Sequence, residues 1–180
     1  MPIPTPEEKL QMIKLEPPSA EELRCVTKLS PGDYEIGFQR ANDIMDEALE
    51  VFQRSSRSNM GVAGDVMIAI FNASGDLVNA AAGTYLHAII QPIIIKYILK
   101  NYKDNPGIKD GDIWFANDAL YGGIHNPDMV CIIPIFYDGK LIGWAGAANH
   151  LTETGAIEPG GMSVSAKSRF EEGLGLPPVK

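Results

Sequence analysis

Residues 129–148 read MVCIIPIFYDGKLIGWAGAA. Met129 to Phe136 is rich in β-branched and aromatic residues, and Leu141 to Ala147 forms a second apolar run. Asp138-Gly139 lies between them. Both central residues of a type I′ turn need positive φ, so this pair predicts a two-residue β-hairpin. With that turn as the loop, Tyr137 faces Lys140, and counting back puts Asp128 opposite Asn149 and Pro127 opposite His150. The open end of the hairpin then gathers His125, Asp128 and His150. Two imidazoles and a carboxylate on a rigid scaffold predict a divalent-metal site with coordination positions left open for substrate. His-x-x-Asp alone is common in loops, and the bland alternative is a pair of loop histidines bonded to backbone. The register is independent of that spacing, because nothing in it demands a histidine 25 residues further on. Gly122 and Gly123 let the backbone turn tightly before His125, or approach a ligand closely.

The chain has 180 residues, 45% hydrophobic and 21% charged, which suits one globular domain. A net charge of −8 argues against nucleic acid and against an anionic membrane surface as partners. Two cysteines, Cys25 and Cys131, make no disulfide framework and fit a reducing cytoplasm, with Cys131 a buried thiol. No basic region followed by an apolar run marks a signal peptide. The apolar segment Ala88 to Leu99 is too short to span a bilayer, and Pro92 and Lys96 interrupt it.

Residues 1–30 hold five prolines and read as an extended arm with a short helical piece near Glu7 to Lys14. A helix follows from about Asp33 to Ser56, capped by Asp33 or Ser30, with Ala41, Ile44, Met45, Ala48, Leu49 and Phe52 as its core stripe. Val66 to Phe71 and Leu77 to Ala82 predict a second hairpin turning at Ser74-Gly75, which sets Asp65 opposite Thr84. Asp65 and His87 then lie near one open end, as candidates for a ligand or a supporting role. Ala88 to Tyr102 is apolar nearly all round and predicts a buried helix starting near Gln91, with Pro92 in its first turn. Asp112 to Ala116 is a short strand. Residues 152–180 are rich in Gly, Pro and Ser, with a charged piece at Arg169 to Glu172. The order helix, hairpin, helix, strand, hairpin predicts an α+β fold: a mixed, largely antiparallel sheet with β-hairpins and two main helices packed on it. No GxGxxG or Walker loop is present; Gly61 to Gly64 (GVAG) lacks the required lysine and serine, and nothing suggests a Ser-His-Asp triad.

Three blocks, NDALYGGIHNPD (117–128), NHLTETGAIEPGGM (149–162) and RFEEGLGLPPVK (169–180), resemble the hydantoinase B/5-oxoprolinase family, in the family's order. Ala119-Leu120, Ile124-His125-Asn126 and Thr152-Glu153-Thr154 lean toward its ketone carboxylase branch, most like the alpha subunit of acetone carboxylase. The resemblance implies a cytoplasmic, multi-subunit, ATP-dependent ligase. A hydantoinase A-like subunit binds ATP, a small third subunit accompanies it, and acetone and bicarbonate give acetoacetate at a manganese site on the subunit resembled here. Carried over residue by residue, His125, Asp128 and His150 match the Mn²⁺ positions. Asp65 and His87 remain weaker candidates for ligand or support, and Glu153 could orient His150 or be a solvated glutamate. Catalytic residues other than these ligands stay unassigned. Residues 1–30 then form a Pro-rich arm, and 31–180 the N-terminal part of a metal-binding domain truncated relative to the longer family subunits. ATP-dependent lactam opening, and a non-catalytic metal-binding structural piece, are the alternatives.

Overall fold

The structure is a computed structural model and describes residues 2–180. Five antiparallel strands form one sheet in the order β2-β1-β5-β4-β3: β1 (Val66–Asn72), β2 (Leu77–Ala82), β3 (Trp114–Ala116), β4 (Asp128–Tyr137) and β5 (Lys140–His150). Both expected hairpins form. Asp138 and Gly139 have φ of 48° and 71°, as a type I′ turn requires.

Among the described residues, five α-helices accompany the sheet: α1 (Pro6–Ile13), α2 (Ala20–Val26), α3 (Pro31–Ser55), α4 (Asn59–Val62) and α5 (Leu86–Tyr102). The first three begin at capping boxes. Thr5, Ser19 and Ser30 each accept the backbone N–H three residues on, and Glu8, Glu22 and Asp33 return the bond. Ser30 is therefore the cap of the long helix, and Asp33 its partner. Met45 is buried in α3, with Ala41, Ala48, Leu49 and Phe52 half-buried beside it. Ile44 is 66% exposed and does not belong to the buried stripe. It lies one step of about 100° round the helix from Met45, enough to leave the contact.

Helix α5 starts at Leu86, five residues before the expected Gln91, and holds Pro92 in its interior. The expectation placed Pro92 where its missing N–H is harmless. Burial decides otherwise: Ala88, Ile94, Ile95 and Ile98 are fully buried against the sheet, and the first turn carries His87 inward at 1% exposure. Their core includes Met67, Phe71, Trp114, Val130, Ile132, Trp144 and Ala148. Helix α3 crosses the opposite face at β1 and β2, where Asn42 accepts a hydrogen bond from Asn79.

The first thirty residues are less extended than expected. Besides α1, near the expected helical piece, they form α2. Helix α1 packs on α5 through Met12, and Lys100 pairs with Glu8 at 2.8 Å. Buried Lys96 meets Asp76 at 2.6 Å and donates to the Lys14 carbonyl. The C-terminal segment is also tied down: Phe115 and Val179 exchange backbone hydrogen bonds, and Asn117 and Asp118 donate to the Leu176 carbonyl. Among the described residues, no helix is long and apolar enough to cross a membrane.

The hairpin register departs from the count at one place. Tyr137 faces Lys140 as expected, but between Ile135 and Phe136 the ladder shifts, so Ile135 pairs with Gly143 and Asp128 pairs with His150 rather than Asn149. A β-bulge on β5 around Ile142 supplies the extra residue. It brings His150 directly across from Asp128, closer than simple counting places it.

Candidate metal centre

The site grows from the ends of three elements. Strand β1 is preceded by Asp65, β4 begins with Asp128, and β5 ends with His150. Because β1 pairs with β5, and Val66 with Asn149, Asp65 comes beside His150, whose N–H donates to the Asp65 carbonyl at 3.1 Å. The first turn of α5 delivers His87. The loop before β4 delivers His125, and the Asp128 N–H to His125 carbonyl bond at 3.0 Å puts both side chains at one end of the sheet.

Buried Asn117 secures that loop. Its amide N–H groups donate to the Asn126 carbonyl at 2.6 Å and the Leu174 carbonyl at 2.7 Å, and its oxygen accepts from the Leu176 N–H. Gly123 lies so close that a Cβ there would stand 2.4 Å from the Asn117 carbonyl oxygen. Ser58, just before α4, donates its hydroxyl to the His150 carbonyl. Sequence reasoning passed over Ser58 and gave Asn117 no role. The asparagine between a strand and a Gly-rich loop was the available signal; Ser58 had none.

Five side chains converge. His125 Nε2 is 3.2 Å from Asp128 Oδ2, and His150 Nδ1 is 3.1 Å from Asp128 Oδ1. His150 Nδ1 is also 3.2 Å from Asp65 Oδ2. His87 Nε2 is 3.0 Å from Asp65 Oδ1 and 4.0 Å from Asp128 Oδ1. The His125 and His150 rings are 4.9 Å apart. Ligand atoms about 2.0–2.2 Å from a divalent ion stand roughly 3 Å from their neighbours, so these separations fit a shared ion. In the set His125, Asp128 and His150 the ligand atoms all lie within 4.8 Å of one another, as they do in the set Asp65, His87 and Asp128. Asp128 Oδ1 is buried and has no hydrogen-bond donor, an orphan that an ion would satisfy. Glu153 serves its own loop instead: its oxygens accept the N–H groups of Gly155 at 2.8 Å and Gly160 at 3.4 Å.

Burial works against ionisation of Asp65, but hydrogen bonds from His87 and Thr84 and the adjacent His87 and His150 hold its carboxyl below the usual range. The Thr84 contact is the one the β1–β2 register predicts. Hydrogen bonding to Asp128 raises the His125 pKa above its ordinary 6.5; burial opposes this, and the charges of Asp128, Asp65 and Glu172 add to it. A raised pKa means that imidazolium persists to higher pH, and only neutral imidazole ligates. If His125 ligates a divalent ion, its affinity is expected to weaken as pH falls, starting above pH 6.5. Ion titrations across that range check this, and a flat profile would remove His125 from the ligand set. His125 is also the most open of the three, its side chain 30% exposed against 9% for His150 and 3% for Asp128. It borders a cavity of about 200 Å³ with Asn126, Pro127, Met162, Ser163 and Glu172.

The arrangement defines an antiparallel α+β protein with a carboxylate–imidazole cluster at one end of its sheet. The chain belongs to the hydantoinase B/oxoprolinase family, whose model matches residues 30–180. It is 58% identical over all 180 residues to the acetophenone carboxylase delta subunit of Aromatoleum aromaticum and spans 26% of that subunit's length. Nucleotide-free acetone carboxylase matches with a TM-score of 0.81 and 32% identity, over 85% of this chain and 20% of that one. The ATP-dependent caprolactamase of Pseudomonas jessenii matches with a TM-score of 0.71 and 28% identity, over 84% and 26%. The chain thus spans about a quarter of the length of such relatives.

Proposed function

We propose that residues 31–180 are the metal-bearing part of an ATP-dependent ketone carboxylase subunit, with His125, Asp128 and His150 holding a manganese ion. The observation that carries this reading is the convergence of both imidazoles on the buried Asp128 carboxylate at 3.1 and 3.2 Å. Imidazole and carboxylate donors without thiolate suit Mn²⁺, and when bound the ion supplies Lewis-acid stabilisation of negative charge developing on oxygen. The protein's part is to fix the donors before substrate arrives. Asp128 neutralises charge from a buried position, His150 is locked through its backbone by Ser58 and Asp65, and His125 stands at the open side where substrate enters. The cavity beside His125 leads a small carbonyl compound toward the cluster.

Among ketones, the 58% identity to an acetophenone carboxylase subunit favours an aryl ketone over acetone, the substrate the sequence resemblance implied. Bicarbonate supplies the carboxyl group and the product is a β-keto acid, acetoacetate where acetone is the ketone. ATP is handled by a hydantoinase A-like partner, with a small third subunit in the assembly, as the sequence resemblance implies. Exposed Ile36, Ile44 and Val51, on one side of α3, give such a partner an apolar surface. Relatives that include a caprolactamase keep ATP-dependent lactam opening as the second reading.

The test is an assay of the assembled complex with Mg-ATP, bicarbonate, Mn²⁺ and acetophenone, acetone or a lactam. The expected result is ketone-dependent β-keto acid formation and phosphate release, faster with acetophenone, and neither from this chain alone. Lactam hydrolysis without carboxylation would overturn the assignment. Turnover by the isolated chain would overturn the division of labour.

A further inference from the structure

With Asp65, His87 is one of two members of the cluster whose roles the metal reading leaves open. Its side chain is 2% exposed and delivered by the first turn of α5. Three observations separate it from the other two histidines. Its Nε2 lies 3.0 Å from Asp65 Oδ1 but 4.0 Å from Asp128 Oδ1, whereas His125 and His150 approach Asp128 to 3.2 and 3.1 Å. Its other ring nitrogen, Nδ1, is buried without a hydrogen-bond partner, although a ligating histidine ordinarily donates that second N–H to an acceptor that fixes the ring. Finally, Asp65 divides its two oxygens: Oδ1 faces His87 and Oδ2 faces His150 Nδ1 at 3.2 Å.

A carboxylate held ionised accepts only, so the proton between His87 and Asp65 sits on His87 Nε2, and the bare Nδ1 then needs no acceptor. We infer that His87 is a positioning residue: it donates Nε2–H to Asp65 Oδ1 and thereby turns Asp65 Oδ2 toward the ion as a fourth, single-oxygen ligand beside His125, Asp128 and His150. The inference deepens the metal reading above and rests on it. Thr84 bonds the same carboxylate, so Asp65 is gripped by both the end of the β1–β2 hairpin and α5. Four ligands, two of them carboxylates, also balance the charge of one divalent ion, which a second ion at His87 would not.

The experiment counts bound Mn²⁺ and measures its affinity by electron paramagnetic resonance on the full chain, with circular dichroism to check folding. Wild type takes one ion. His87→Leu weakens binding about 10–100-fold, the usual effect of losing a residue that orients a ligand. His87→Gln carries an amide N–H to the place of Nε2 and stays within about threefold of wild type, while His87→Asn is too short and behaves as His87→Leu. Asp65→Asn weakens binding similarly, and adding His87→Leu to it changes little, because the two act through one contact. Should His87→Leu fail to fold, the contrast between Gln and Asn decides. Unchanged affinity in His87→Asn would overturn the inference, as would two ions in wild type and one in His87→Gln, which makes His87 a ligand. Asp128→Asn separates the two levels. If wild type binds no ion, the metal reading falls; if wild type binds, Asp128→Asn does not, and the His87 variants match wild type, only the role of His87 falls.

Discussion

Replacing Asp128 by Asn is expected to abolish tight divalent-metal binding while leaving the hairpin intact. Asp128 is the residue common to both sets of converging donors and stands within 3.2 Å of two imidazole nitrogens. Asparagine has the same shape but removes the negative charge and replaces one carboxylate oxygen by an N–H₂ group, a donor that no cation accepts. The loss should reach about 100-fold or more, beyond the range for residues that only orient a ligand. Thermal unfolding with and without Mn²⁺ gives an independent readout. An ion at about 100 times its Kd stabilises the folded chain by roughly 2.7 kcal/mol, and that increment should vanish in Asp128→Asn. The metal-free variant should melt below wild type, since the substitution removes a carboxylate at 2% exposure that pairs with the His125 imidazole, so the Mn²⁺-induced increment is read within each protein. Full Mn²⁺-induced stabilisation in the variant would remove Asp128, and with it the proposed site.

How much of this site was visible in the residues depends on how local each contact is. The Asp138-Gly139 turn and the flanking apolar runs specify the β4–β5 hairpin by short-range chemistry, and the hairpin forms. The count along its strands nevertheless misses by one. Gly143 in KLIGW, next to the bulge at Ile142, was the available marker, because an isolated glycine inside a strand run suggests a bulge, but it does not say on which strand the extra residue sits. Asp65 and Thr84 do meet, because the β1–β2 ladder runs in the expected register over Met67 to Ile70. What could not be read is the pairing of β1 with β5, strands some seventy residues apart in sequence. Their register rests on packing of Met67, Phe71, Trp144 and Ala148 beneath α5, not on any local signal. That non-local pairing turns two separate candidates, the hairpin triad and the Asp65–His87 pair, into one cluster. The start of α5 was missed for a related reason: local rules put Pro92 in a first turn, while the apolar burial of Ala88 and inward His87 extend the helix past it.

Gly83→Ala should destabilise the fold and weaken metal binding together. Gly83 follows β2, and its N–H donates to the Val66 carbonyl at 3.1 Å. A methyl group there would lie 1.8 Å from the Gly64 carbonyl oxygen and 2.8 Å from its carbon. Both atoms are backbone, so no rotamer change relieves the clash; the two segments must move apart. Overpacking of this kind costs about 1–3 kcal/mol or more, and a rigid backbone neighbour argues for the upper end. The displaced Gly64 immediately precedes Asp65, so the strain passes into the cluster, shifting Asp65 relative to His87 and His150. Gly37→Ala is the matched control. It lies inside α3 with nothing within 4 Å of the added carbon, and alanine there should stabilise by about 0.4–1 kcal/mol with no change in metal affinity. Urea unfolding and Mn²⁺ titration of both variants supply the comparison. If Gly83→Ala loses stability but binds the ion as wild type does, the link from the end of β2 through Gly64 to Asp65 is absent. If it loses neither, the close approach of these two glycines is not part of the native packing.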